Sequence, residues 1–277
     1  MLKLMYITNK PEIALIAEKS GVNRIFVDME YIGKSDRQGG MDTVQSNHTI
    51  DDVRKIRQVL NKAELLVRVN PIHSATQNYL SSQEEIEQVI ESGADIIMLP
   101  FFKTIEEVKN FLEFVGGRVR TMLLLETPES VEILDEILEL PGIDEIHIGL
   151  NDLSLGYNKK FMFELLADGT VEQICNIIKM KGLPFGFGGI AALGKGKLPA
   201  ERIIAEHYRL HSSIAILSRS FCNTDIITNL DEVERIFLNG ISDIRKFEQN
   251  EALEMAKTDD NLNQIRLIVN DICGGEY

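Results

Sequence analysis

Apolar runs of strand length alternate with amphipathic stretches along the whole chain. The runs cover Leu2–Thr8, Arg24–Glu30, Leu65–Asn70, Asp95–Pro100, Arg120–Glu126, Glu145–Leu150, Pro184–Ile190 and Ile214–Phe221. Between them the spacing predicts helices over Pro11–Ser20, Thr49–Leu60, Ser82–Ser92, Thr104–Val115, Ser130–Leu138, Phe161–Lys181 and Pro199–His211. The runs are continuous rather than alternating, as expected of strands covered on both faces. Repeated strand-then-helix units predict an α/β protein, a (β/α)8 TIM barrel. Gly93-Ala94-Asp95 and Gly142-Ile143-Asp144 read as tight turns with glycine closing a helix. Leu230–Asn250 and Asp260–Ile272 are expected to supply the last barrel helix and an extra C-terminal helix. Residues 1–277 then form a single barrel domain with a helical extension over about 229–277.

Composition narrows the class. Aromatic residues are 6% of the chain and Trp is absent, so the core must be mainly aliphatic. A net charge of −14 without a basic block argues against nucleic acid or an anionic membrane as partner. No apolar run reaches membrane-spanning length, and the N-terminal run is too short for a signal peptide. Cys175, Cys222 and Cys273 show neither metal-ligand nor disulfide spacing, which fits a cytoplasmic location.

In a barrel of this kind the residues just past each strand face the active site. They make a polar ring: Thr8-Asn9-Lys10, Asp28-Met29-Glu30-Tyr31, Arg68-Val69-Asn70, Pro100–Lys103, Glu126, Asp152, Gly186–Gly189 and Ser218-Arg219-Ser220. Each has an ordinary alternative. Asp152 could cap a short turn, Arg68 could pair structurally with Asp28 or Glu30, and the glycines could only be making a turn. Convergence on one mouth favours function. Glu126 and Asp152 suit a hard divalent cation, Mg²⁺ or Mn²⁺. Such an ion and Arg68 would stabilise the enolate oxygen of an α-keto acid. Gly149, Asn151, Gly188, Gly189, Ser218 and Arg219 are candidates for holding substrate, the last four as an anion site. Among the histidines, His147 reads as structural, His73 as a solvated loop residue, and His207 and His211 as a solvated or interface face. His48 is the best histidine candidate for acid/base work.

Val27-Asp28-Met29-Glu30, Arg68-Val69-Asn70, Gly93–Pro100, Leu125–Glu129 and Ile148–Ser154 together resemble the HpcH/HpaI aldolase and citrate lyase β-subunit superfamily, over roughly Asn9–Asn223. The resemblance implies an oligomeric barrel that makes or breaks a carbon–carbon bond through a pyruvate or acyl-CoA enolate. It implies Glu126 and Asp152 as metal ligands, Arg68 as the enolate-binding arginine, and Asp28 and Glu30 as supporting acids. Tyr31 stands where pyruvate aldolases carry a proton-transferring histidine, and Leu124 where they carry a glutamine. Asp28–Arg37 echoes CoA-lyase relatives, and the excursion Gly39–His48 is expected to set the substrate. The expected function is a metal-dependent lyase of aldolase type. It would use pyruvate and an aldehyde, such as a sugar derivative, with Tyr31 or His48 moving the proton. The rivals are a CoA-thioester lyase and a non-catalytic barrel subunit.

Overall fold

The computed structural model describes residues 1–33, 46–257 and 260–275. Lys34–Arg37 and most of the Gly39–His48 excursion lie outside the described residues. Eight short strands carry the apolar runs: β1 (Lys3–Ile7), β2 (Arg24–Asp28), β3 (Glu64–Arg68), β4 (Ile96–Leu99), β5 (Arg120–Leu125), β6 (Glu145–Ile148), β7 (Phe185–Ile190) and β8 (Ile214–Leu217). Each pairs in parallel with its sequence neighbour, and β1 pairs with β8, which closes the barrel. The predicted α/β barrel is therefore the architecture observed, and the C-terminal extension holds a short helix, Ala252–Ala256, beyond the one extra helix expected.

Two apolar layers follow from the pleat. Inward side chains include Met5, Phe26, Leu66, Met98, Met122 and Leu124. Outward ones, such as Leu4, Ile25, Val67, Ile97 and Ile146, pack beneath the helices. The N-terminal end of the barrel is plugged by charge. Arg24, fully buried, holds Glu145 through both terminal nitrogens (2.5 and 2.6 Å) and Glu64 through Nε (2.7 Å). Arg120 closes the ring onto Glu64 at 2.5 Å and Glu145 at 3.4 Å. The pairing satisfies groups that would be costly to bury alone.

Among the described residues four helices start with reciprocal capping boxes. Thr49, Ser81, Thr104 and Thr127 each accept from the backbone N–H three residues on, and Asp52, Glu84, Glu107 and Ser130 answer. Three expectations need correction. Phe161–Lys181 is not one helix: Gly169, at φ 88°, separates Glu164–Ala167 from Thr170–Met180. The segment predicted over Ser130–Leu138 starts at Pro128 and breaks at Ile133. A short helix over Leu150–Gly156 was not anticipated. The C-terminal extension contains Leu230–Asn250, Ala252–Ala256 and Asp260–Cys273. The first packs on Pro11–Lys19 and the last on Glu164–Ala167.

Two histidines also sit differently from expectation. His207 is wholly buried, stacked on Phe187 with ring centroids 3.8 Å apart, its Nδ1 2.7 Å from Ser212 Oγ. His73 is half-buried, and its ring nitrogens lie 2.7 and 2.8 Å from the Pro71 and Leu80 carbonyl oxygens, which pins its loop. His211 is exposed.

Candidate active site

The C-terminal ends of β5 and β6 lie side by side, and the Gly149 N–H, one step beyond β6, donates to the carbonyl of Leu125, the last residue of β5, at 3.0 Å. Glu126 follows β5, and Asp152 lies on the first turn of the Leu150–Gly156 helix. Both carboxylates are largely withdrawn from solvent, at 3% and 8% exposure. Glu126 is fixed from two directions. Its Oε1 accepts the Phe101 N–H at 3.0 Å, and Phe101 adopts φ 47° to present it, a conformation uncommon outside glycine. On the other side stands Gly149. A Cβ there would lie 2.8 Å from both Cβ and Oε2 of Glu126, so glycine is needed for close approach.

Arg68 ends β3, in register with Asp28 at the end of β2. Asp28 takes two hydrogen bonds from the guanidinium, at 2.7 and 2.8 Å, and Glu30 lies 3.2 Å from Nη1. Burial alone would favour the neutral form of Arg68. The charges of Asp28 and then Glu30 outweigh it and hold the guanidinium protonated, well above its usual range. The following turn is anchored by Asn70, whose Oδ1 accepts the N–H groups of Tyr31 and Ile32 at 3.0 Å each, while Glu85 accepts from its amide at 2.8 Å.

One cavity of about 300 Å³ brings most of the candidates together. Asp28, Arg68, Glu126, Gly149, Asn151, Asp152, Gly188, Gly189, Ser218 and Arg219 line it, over an apolar floor that includes Phe26, Met98 and Leu124. Arg219 stands exposed at the rim. A further cavity, about 540 Å³, is also lined by Glu126 and Asp152, so the two acids form the wall between the two spaces. Glu30 does not line this cavity but meets two residues that do, Arg68 through its carboxylate and Asp28 through its N–H. Tyr31 and His48 do not line the central cavity. Tyr31 packs against Tyr79 in a tilted pair, with centroids 5.1 Å apart, in a separate cavity that His48 shares. His48 Nδ1 accepts the Asp28 N–H at 3.0 Å, and its ring also borders a space that joins the central cavity at Ser46 and Ser218.

His147 was read from sequence as structural, yet it lines the central cavity. Its position opposite Leu124 turns it into the barrel, and burial pushes the imidazole down to about 4, so it is neutral near pH 7. The signal available in sequence was its two-residue spacing from Glu145, which places both on one face of the strand without saying which.

The donor set suits a hard divalent cation. Asp28 and Glu30 pair with Arg68, and Glu126 and Asp152 bring two buried carboxylates to the lining of one cavity. Among the described residues no group of three or more His, Cys, Asp or Glu could hold a metal. A site with two carboxylates leaves the remaining coordination to water and substrate, which Mg²⁺ accepts readily.

A protein-family profile described as HpcH/HpaI aldolase/citrate lyase matches residues 4–183. That span takes in every strand end from β1 to β6, including Asp28, Arg68, Glu126 and Asp152. The chain belongs to the HpcH/HpaI aldolase/citrate lyase family. The family includes carbon–carbon lyases and is generally metal-dependent. Solved structures agree in fold. The HpcH/HpaI aldolase from Desulfitobacterium hafniense DCB-2 is 14% identical, with a TM-score of 0.58 over 88% of this chain and 93% of its own. The citrate synthase SbnG is 14% identical, with a TM-score of 0.59 over 90% and 95%. An HpcH/HpaI aldolase/citrate lyase family protein from Burkholderia cenocepacia J2315 is 14% identical, with a TM-score of 0.56 over 84% and 94%. No curated protein sequence matches the chain. Among the described residues no helix is long and apolar enough to cross a membrane.

Proposed function

We propose that this family member is a divalent-metal-dependent carbon–carbon lyase of aldolase type, which cleaves or forms a hydroxy-keto acid with pyruvate as one half and an aldehyde, such as a sugar derivative, as the other. The observation that carries the reading is the sharing of one cavity by Glu126, Asp152 and Arg68. Glu126 and Asp152 would hold Mg²⁺ or Mn²⁺, which when bound supplies Lewis-acid stabilisation of negative charge on the keto oxygen. Arg68 adds a fixed positive charge, held in place by Asp28 and Glu30 so that no reorganisation is needed as charge develops. Asn151 and the backbone around Gly149 orient the carboxylate end. Gly188, Gly189, Ser218 and Arg219 face the aldehyde half. The apolar floor of Phe26, Met98 and Leu124 keeps bulk water from the reacting carbon. Of the two proton-transfer candidates, His48 is the better placed. Its Nδ1 accepts the Asp28 N–H, so a neutral ring carries its proton on Nε2, and His48 lines the space that adjoins the central cavity.

The test is solvent exchange of pyruvate methyl protons, followed by NMR with Mg²⁺ or Mn²⁺ and then with EDTA. Exchange should require the metal and disappear in Glu126→Ala. Exchange that persists in both conditions would sink the reading. Exchange of acetyl-CoA but not pyruvate protons would redirect it to thioester substrates.

A further inference from the structure

The inward side of β7 is built from glycines. At Gly186 a Cβ would sit 2.1 Å from the Ile214 carbonyl oxygen, so β7 and β8 approach too closely for any side chain. The register with β8 then slips between Gly186 and Gly189, and Gly188 falls in the slip at φ 52°. The Gly188 carbonyl meets the His147 imidazole, with Nε2 3.2 Å away. On its other side Gly188 abuts Leu150, where a Cβ would lie 2.8 Å from Leu150 Cδ1. Leu150 opens the helix whose first turn carries Asp152.

The second nitrogen of His147 makes an ordinary core role a poor explanation. Nδ1 is buried and, among the described residues, has no hydrogen-bond partner. An orphaned buried acceptor is destabilising, a penalty that a phenylalanine of similar shape would not incur. What the imidazole offers and phenylalanine lacks is an N–H on Nε2. Burial, reinforced by the positive charges of Arg24 and Arg68, keeps the ring neutral, so it carries one proton. The carbonyl at Nε2 places that proton there.

We infer that His147 is a positioning residue. Its Nε2–H holds Gly188 against Leu150 and thereby fixes the turn that presents Asp152 to the metal. The inference rests on the metal-lyase reading above, and substrate-free Mn²⁺ binding separates the two.

The experiment titrates Mn²⁺ by electron paramagnetic resonance into the full chain, His147→Phe and His147→Gln, with thermal melts to verify folding. Removing an outer hydrogen bond to a metal site weakens binding roughly 10–100-fold. His147→Phe should fall in that range, and His147→Gln, whose amide can donate to the same carbonyl, should recover most of the loss. A folded His147→Phe that binds Mn²⁺ like the unaltered protein would overturn the inference and leave the reading intact. No Mn²⁺ binding by the unaltered protein would overturn both. Should His147→Phe fail to fold, ¹⁵N-histidine spectra of the unaltered protein decide. The His147 signal should show a neutral Nε2–H tautomer and move when Mg²⁺ is added. A signal indifferent to saturating Mg²⁺ would overturn the inference.

Discussion

Glu126 illustrates how much of a carboxylate's behaviour is set by backbone on either side of it. The Phe101 N–H holds one oxygen, and the bare Cα of Gly149 makes room for the other. Gly149→Ala should push Glu126 aside and weaken Mn²⁺ binding about tenfold or more, a loss of the size seen when support around metal ligands is disturbed. A titration monitored by electron paramagnetic resonance checks it. Arg68→Lys should behave oppositely. Lysine cannot reproduce the two-pronged contact with Asp28, so pyruvate proton exchange should fall roughly 100-fold while Mn²⁺ affinity is retained. Glu126, Asp152 and Arg68 were legible as candidates because each follows or ends an apolar run, which any closed barrel turns toward its mouth. Phe101 was not legible, because nothing in an apolar-polar pattern reports the sign of φ. His147 was hidden by a similar limit: its pattern gave a strand but not which face held the cavity. Tyr31 comes three residues after β2 and His48 just before the helix at Ile50–Val59, and both line a separate cavity rather than the central one, which sequence spacing does not report.

At the level of elements, the order and number of strands could be read directly, since hydrophobic runs covered on both faces have few alternatives. Their ends could not. The run Ile214–Phe221 yields a strand only to Leu217, where pairing with β1 stops and Ser218 turns into the mouth. Phe161–Lys181 looks amphipathic throughout, but Asp168-Gly169 interrupts it with a left-handed residue that starts a new helix. Glycine had its clearest meaning in β7. Gly186→Ala would place a methyl carbon against the Ile214 carbonyl, a backbone atom that no rotamer change can move. It should destabilise the protein by about 3 kcal/mol, at the upper end for overpacking, and is read by urea unfolding.

At the scale of the whole molecule, two buried features govern stability. Arg24 is paired with Glu145 and Glu64 inside the barrel floor, and Arg24→Ala would leave those acids without their central partner. It should cost about 3–5 kcal/mol in the same unfolding assay. His147 and His207 are both held neutral by burial, with imidazoles pushed down from 6.5 to about 4 and about 3. Below pH 6.5 the unfolded chain takes up protons that the folded chain refuses. Their contribution is therefore intact above that pH and erodes as pH falls toward 4, at up to about 1.4 kcal/mol per unit for each. Melting temperatures between pH 7 and 4.5 should fall less steeply in His207→Leu than in the unaltered protein. The charged floor also has a kinetic side. A barrel stoppered at its base has one doorway, so both reactants and both products must queue through it. The molecule seated deeper has to arrive first and depart last. Under the proposed chemistry that molecule is the keto acid beside Arg68, and product-inhibition patterns in the cleavage direction should show the aldehyde leaving ahead of pyruvate.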